Sequence, residues 1–216
     1  LFREVINTRA EFLFASATIL CEGITEELAL PIFFQEYFGC APYVLGVNII
    51  NIGGKDNYAP YLSLAKDFDI PWFIFSDGEP DAIRSVSSAI KKVFNQDSAS
   101  LHNVIIIGDG DDYEKYLIRT GYSGLMICAI CEHEEDDNYF KSYKRRMQGQ
   151  ARCDGRSRDY TQENGDIEAL TDLCHENKTE LAVPIALKLI SQEDANLRIP
   201  PKVKELFTAL ATKIDI

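Results

Sequence analysis

No stretch of the sequence is apolar for long enough to cross a bilayer. Its first residues do not pair a basic segment with an apolar one, the pattern of a secretory leader. Positive charge is scarce: 22 Lys and Arg stand against 34 Asp and Glu, for a formal net charge of −12. This excludes a general electrostatic grip on nucleic acid, so any such grip must come from a local basic patch or bound cations. The nucleotide-cradling pattern GxxxxGK[ST] is absent, and there is no internal repeat. Six cysteines in 216 residues are not a disulfide framework, because a chain this long builds its own core; reduced, buried thiols are expected. Cys128-x-x-Cys131-x-His133 is half of a zinc pattern. With no second CxxC, only Cys153 and the Cys174-His175 pair are left to complete it.

The composition is that of a folded domain, with 46% hydrophobic and 26% charged residues. The chain starts at Leu1 in Leu-Phe-Arg-Glu rather than at Met. It reads as a piece of a longer protein whose missing activities lie upstream.

Apolar runs alternate with amphipathic stretches over the first half. Strands are expected at Phe12 to Cys21, Tyr43 to Ile52, Ile70 to Phe75 and Val104 to Ile107. A helix through Ala29, Ile32, Phe33 and Tyr37 should end at Gly39. Others are expected at Ala59 to Phe68, Asp81 to Phe94 and Asp111 to Thr120. This βα alternation argues for an α/β fold, a mostly parallel sheet flanked by helices. After about residue 122 the pattern changes. Lys141 to Arg158 holds seven basic residues and one acid, Asp154. Gln148 to Gly165 is polar and aperiodic and reads as a mobile loop. Helices follow at Asp166 to His175, Thr179 to Ile190 with Pro184 as a kink, and Pro201 to Ile214. The expected organisation is an α/β catalytic core over 1–125 and, over 126–216, a basic loop region and helical extension completing the site.

Carboxylates gather where strands should end, which is where α/β sheets place their functional groups. Glu22-Gly23-Ile24-Thr25-Glu26 follows the first strand. Ser76-Asp77-Gly78-Glu79-Pro80-Asp81 follows the third, and Gly108-Asp109-Gly110-Asp111-Asp112-Tyr113-Glu114 the fourth. Gly53-Gly54-Lys55 follows the second, where paired glycines allow backbone to approach a phosphate. Each segment alone is equally a helix cap or an acidic turn. Together, carboxylates from separate loops converging at one edge are what a magnesium site requires, and their number suits two ions.

Glu22-Gly23, Gly53-Gly54 and Asp77-x-Glu79 resemble the Toprim pattern: a Glu after the first strand, a glycine turn, and a DxD after the third. Here the last acid is Glu. Within Toprim proteins the chain is similar to the C-terminal nuclease domain of the OLD (overcoming lysogenization defect) family, Gabija-type nuclease subunits among them. The residues carrying that likeness are the EGxTE of Glu22 and Glu26, the stretch Asp111 to Leu117 with Glu114, and Asn177-Lys178-Thr179, over about residues 12 to 190. The resemblance implies a cytoplasmic, metal-dependent DNA endonuclease or nickase, with a role in phage defence. It implies an N-terminal ABC-type ATPase domain in the full-length chain and a homo-oligomer. It also implies Glu22, Glu26, Asp77 and Lys178 as catalytic residues around two Mg²⁺ or Mn²⁺ ions. The ions would be held by Glu22, Glu26, Asp77, Glu79 or Asp81, and an acid from the stretch Asp111 to Glu114, such as Asp111 or Glu114. Lys178 would neutralise transition-state charge or protonate the leaving group. Lys55, Lys141, Lys144, Arg145 and Arg146 are the expected DNA contacts, with Tyr139 and Tyr143 as stacking groups. Two alternatives share the acidic edge: a receiver-like phosphoacceptor built on Asp77, and a degenerate Toprim module without catalysis.

Overall fold

The computed structural model describes residues 10–98, 101–108, 110–153 and 155–214. Four strands form one parallel sheet: β1 (Ala17–Cys21), β2 (Val47–Asn51), β3 (Trp72–Ser76) and β4 (Val104–Ile106), in the order β2-β1-β3-β4. Successive side chains of a strand face opposite sides. On one face Ala17, Ile19, Cys21, Val47, Phe73, Phe75 and Ile105 join a large core cluster. On the other, Leu20, Ile50 and Ile74 join a second cluster. Burial on both faces is why these strands read as unbroken apolar runs rather than alternating ones.

Helices α2 (Tyr58–Asp67) and α3 (Pro80–Phe94) cover the second face. The first face is covered by α1 (Ile24–Phe38), α5 (Ser123–His133), α7 (Gly165–Glu176), α8 (Lys178–Ile190) and α9 (Pro201–Lys213). The short α4 (Tyr113–Leu117) runs into a wide helical turn over Ile118–Tyr122, and Gly121, at φ 96°, breaks it from α5. The expected boundary at residue 125/126 falls inside α5, and the first core runs without interruption from Ala17 to Leu210. Among the described residues no helix is long and apolar enough to cross a membrane.

Element ends follow local chemistry. α1 stops at Gly39 in the left-handed region, whose N–H donates to Gln35 O at 2.9 Å. Pro80 opens α3 at a position where its missing N–H costs nothing. Asp112 caps α4 by accepting from Lys115 N at 2.9 Å.

Three expectations need correction. Phe12 and Tyr43 do not start strands: Ala10–Phe14 and Pro42–Leu45 are single 3₁₀ turns, in which Phe12 and Leu45 pack on the cores while Phe14, Tyr43 and Val44 are exposed. Lys141 to Met147 is not loop but part of α6 (Tyr139–Met147), which buries Phe140 and Tyr143. Gln148 to Gly165, expected as a mobile loop, folds back on itself. Ala151 bridges Ser157, Arg152 bonds Asp172 at 2.9 Å, and Arg158 is paired with Glu176. Its arginines meet the acidic face of α7, which a reading of local pattern does not reveal.

Gly78 joins the β3 and β4 loops. Its N–H donates to Asp111 O at 2.8 Å, and a Cβ there would lie 1.9 Å from Ile107 O. Gly78→Ala is therefore expected to force the loops apart at about 1–3 kcal/mol, lowering the melting temperature by roughly 2–12 °C. A thermal melt unchanged from wild type would contradict this packing.

Candidate metal centre

The order β2-β1-β3-β4 makes β1 and β3 neighbours although β2 lies between them in sequence. Their C-terminal ends flank the point where the chain reverses its direction across the sheet, the usual ligand crevice of such folds. Glu22 emerges at the tip of β1. Its Oε1 accepts from Tyr58 OH at 3.1 Å and, by a short bond, from Ser76 Oγ at the end of β3. Gly23 follows as the residue before α1; a Cβ there would come within 2.6 Å of Glu26 Oε2. The glycine therefore leaves room for the Glu26 carboxyl to fold back over the turn.

Glu26 is 4% exposed and Glu114, from the first turn of α4, 3%. Burial, and then the charge of Glu114, push the Glu26 carboxyl up to about 7. Asp77 follows β3, and its enclosed Oδ1 has no hydrogen-bond partner. Burial and then Glu26, Glu22, Asp112 and Glu114 push it up to about 8. Five carboxylates from three strand ends thus feel one another.

Basic side chains approach from α4, α7 and α8. Glu114 Oε1 accepts from Thr25 Oγ1 at 2.8 Å and lies 3.3 Å from Lys178 Nζ. Burial opposes the charge on Lys178, but Glu114 and Glu26 outweigh it and hold the ammonium above its ordinary range. His175 Nε2 is 3.2 Å from Asp112 Oδ2 and 3.7 Å from Glu114 Oε2, enclosed but without an aligned hydrogen bond. Lys115 Nζ reaches Asp112 Oδ2 at 2.7 Å. Burial works against ionisation of Asp112, yet its contacts with His175 and Lys115 prevail and hold the carboxyl well below the usual range.

The structure thus brings together Glu22, Glu26, Asp77, Glu114 and Lys178 from the expected set. Others turn elsewhere. Asp81 pairs with Arg84 and with Lys55, the latter at 3.2 Å. Asp111 pairs with Arg119 at 2.9 Å. Glu79 is the residue preceding α3 and makes no side-chain cap bond. Asp109 lies outside the described residues. Lys141, Lys144, Arg145 and Arg146 ride on α6. Lys144 pairs with Asp166, Arg145 donates to Ser142 Oγ at 3.5 Å, and Arg146 lies 5.9 Å from the Tyr143 ring centroid.

Cys128 and Cys131 stand one turn apart on α5, with Cys128 Sγ donating to Glu132 at 3.3 Å. They form no metal-binding group with His133. Among the described residues, Asp112, Glu114 and His175 bring their donor atoms within 4.8 Å of one another, close enough to share a metal ion. Sequence reasoning held Asp112 only as one of the acids from Asp111 to Glu114 and His175 only as a candidate zinc partner of Cys128 and Cys131, and did not join the two. The signal for Asp112 was its place in the acidic run; His175 showed only its short spacing before Lys178.

Residues 13–78 match the family model described as "Overcoming lysogenization defect protein-like, TOPRIM domain". The matched segment spans β1 to β3. The fold of the chain is similar to that of the C-terminal region of the Xanthomonas campestris pv. campestris OLD protein. Identity is 18%, the TM-score is 0.66, and 95% of this chain covers 96% of that one. The C-terminal region of the Burkholderia pseudomallei OLD protein is similar at 15% identity and a TM-score of 0.64, covering 93% of this chain and 99% of that one. No curated protein matches the sequence.

TOPRIM domains bind divalent metals. The residues of this one fit such an ion. The donors are mostly carboxylate oxygens, the ligands of hard cations. Asp77 Oδ1 is enclosed and unpartnered, and two carboxyls are driven toward neutral by their neighbours. A divalent cation relieves both conditions.

Proposed function

We propose that this chain is a metal-dependent DNA endonuclease of the OLD type. The observation that carries the reading is the convergence of Glu22, Glu26, Asp77, Asp112 and Glu114 at one sheet edge, with Lys178 against Glu114. Glu22, Glu26 and Asp77 would hold a divalent cation on the β1–β3 side, and Asp112, Glu114 and His175 one on the β4 side. Bound Mg²⁺ or Mn²⁺ supplies an activated water and neutralises charge on a phosphodiester.

The protein's own groups do the rest. Tyr58 and Ser76 donate to Glu22 and fix its carboxylate. Thr25 fixes Glu114 in the same way. Lys178, kept protonated by its acidic neighbours, offers positive charge to the phosphoryl oxygens as negative charge grows there. We place the activity in a longer, cytoplasmic, oligomeric protein carrying an ATPase domain and acting in phage defence.

Cleavage of supercoiled plasmid in magnesium, manganese or chelator tests the reading. Wild type is expected to nick or linearise DNA only with metal. Lys178→Ala is expected to lose about 10²–10³-fold, the usual scale for one electrostatic stabiliser, and Glu22→Ala at least as much. A wild-type chain that binds manganese by calorimetry yet leaves the plasmid intact would sink it.

A further inference from the structure

A cleft of about 830 Å³ opens beside the carboxylate cluster and shares His175 with it. Its walls carry Lys115, Arg119, Arg152, Arg156 and Arg158, five of the 22 basic residues of a chain whose net charge is −12. Such gathering matters in an acidic protein, because a polyanion is repelled elsewhere and enters where cations are concentrated.

The five divide by what they touch. Arg152 bonds Asp172 and Glu168, each at 2.9 Å, and Arg158 pairs with Glu176 and donates to Ala151 O at 2.7 Å. These two neutralise the acids that α7 turns toward the cleft and hold the 148–164 segment as its wall. Lys115, Arg119 and Arg156 are the more exposed of the five, although each has a partner of its own. Arg119 is 58% exposed, and Asp111 takes one of its five N–H donors at 2.9 Å. Lys115 follows Asp112 by about one turn and Arg119 follows Lys115 by another, so α4 and its continuation carry cations outward from the metal ligands.

We infer that this cleft, and not the basic face of α6, binds the phosphate backbone of DNA flanking the scissile bond, with Lys115, Arg119 and Arg156 as the phosphate contacts. The inference rests on the nuclease reading for its substrate, but its test reads binding alone. Each phosphate contact releases counterions, so log affinity falls with log salt by about 0.9 per contact on duplex DNA.

Fluorescence anisotropy of a labelled duplex, in calcium and from 50 to 200 mM salt, gives that slope. The double variant Arg119→Gln, Arg156→Gln is expected to flatten the slope by about two and to weaken binding about tenfold at 100 mM salt. Lys204→Gln, an exposed lysine of α9 outside the cleft, is expected to match wild type. An unchanged slope in the cleft variant overturns the inference. So does a flattened slope in Lys141→Gln, Arg145→Gln with the cleft variant unaffected, or failure of wild type to bind DNA. Cleft-dependent binding without cleavage in magnesium or manganese upholds the cleft and removes the nuclease reading. Cleavage with cleft-independent binding does the reverse.

Discussion

Asp77→Asn is expected to make the metal-free protein more heat-stable while removing its cleavage activity. The carboxyl of Asp77 is pushed up to about 8 by burial and four neighbouring acids. The folded chain therefore keeps a proton that the unfolded chain, with an ordinary Asp, gives up near pH 4. Where the folded state binds more protons, stability falls as pH rises. For Asp77 that window runs from about pH 4 to about pH 8. In chelator at pH 8 about half of the wild-type molecules carry the extra buried charge at Asp77, and the Asn variant carries none. Relief of strained functional sites commonly gives about 0.5–2 kcal/mol, which for a chain of this size is roughly 1–8 °C. The wild-type melting temperature should also climb as pH is lowered from 8 to 5, and that of Asp77→Asn should climb less. Equal melting curves at pH 8 would remove the repulsion argument. Retained cleavage would remove Asp77 from the metal centre.

The second large effect is proton release on metal binding. Glu26 at about 7 and Asp77 at about 8 must both give up protons before they ligate a cation. Below pH 7 both are mostly neutral, so affinity for Mn²⁺ should rise by as much as about 100-fold between pH 6 and 7. The rise should level off above pH 8. Calorimetry in two buffers of different ionisation enthalpy counts the protons directly. Glu26→Gln should release fewer protons and flatten the pH dependence. The same linkage predicts that the cation reverses the ranking of stabilities: at 100 times its dissociation constant it adds about 2.7 kcal/mol to the wild type. Affinity independent of pH would mean that the carboxyls are already ionised.

Much of the sheet was legible because a doubly covered parallel strand leaves an unbroken apolar run, and the runs ended at Glu22 and Asp77 within a residue of the observed edge. The overshoots at Phe12 and Tyr43 came from short apolar turns set just before the strands, which do not pair as strands do. Helix α5 (Ser123–His133) was missed because it is apolar on most of its circumference and shows little period. In α6 the basic run concealed Phe140 and Tyr143, which hold it to the core. The metal centre was half legible. Acids at strand ends look alike in sequence, and partners decide which of them face inward. Asp81 and Asp111 are taken by Lys55, Arg84 and Arg119, while Asp112 caps α4 beside His175. Arg84 is only three residues from Asp81 on α3, but Lys55, Arg119 and His175 lie on other elements, and no local pattern announces them.

The first carboxylate of the centre is at residue 22 and its lysine at 178, on a helix that packs against α1. A ribosome adding roughly 5–20 residues per second separates the two by several seconds to half a minute. During that interval the nascent chain displays the acids of β1 and β3 with neither Lys178 nor the His175 side of the site in place. A messenger truncated upstream of α8 would therefore yield a product whose acids at the sheet edge lack Lys178.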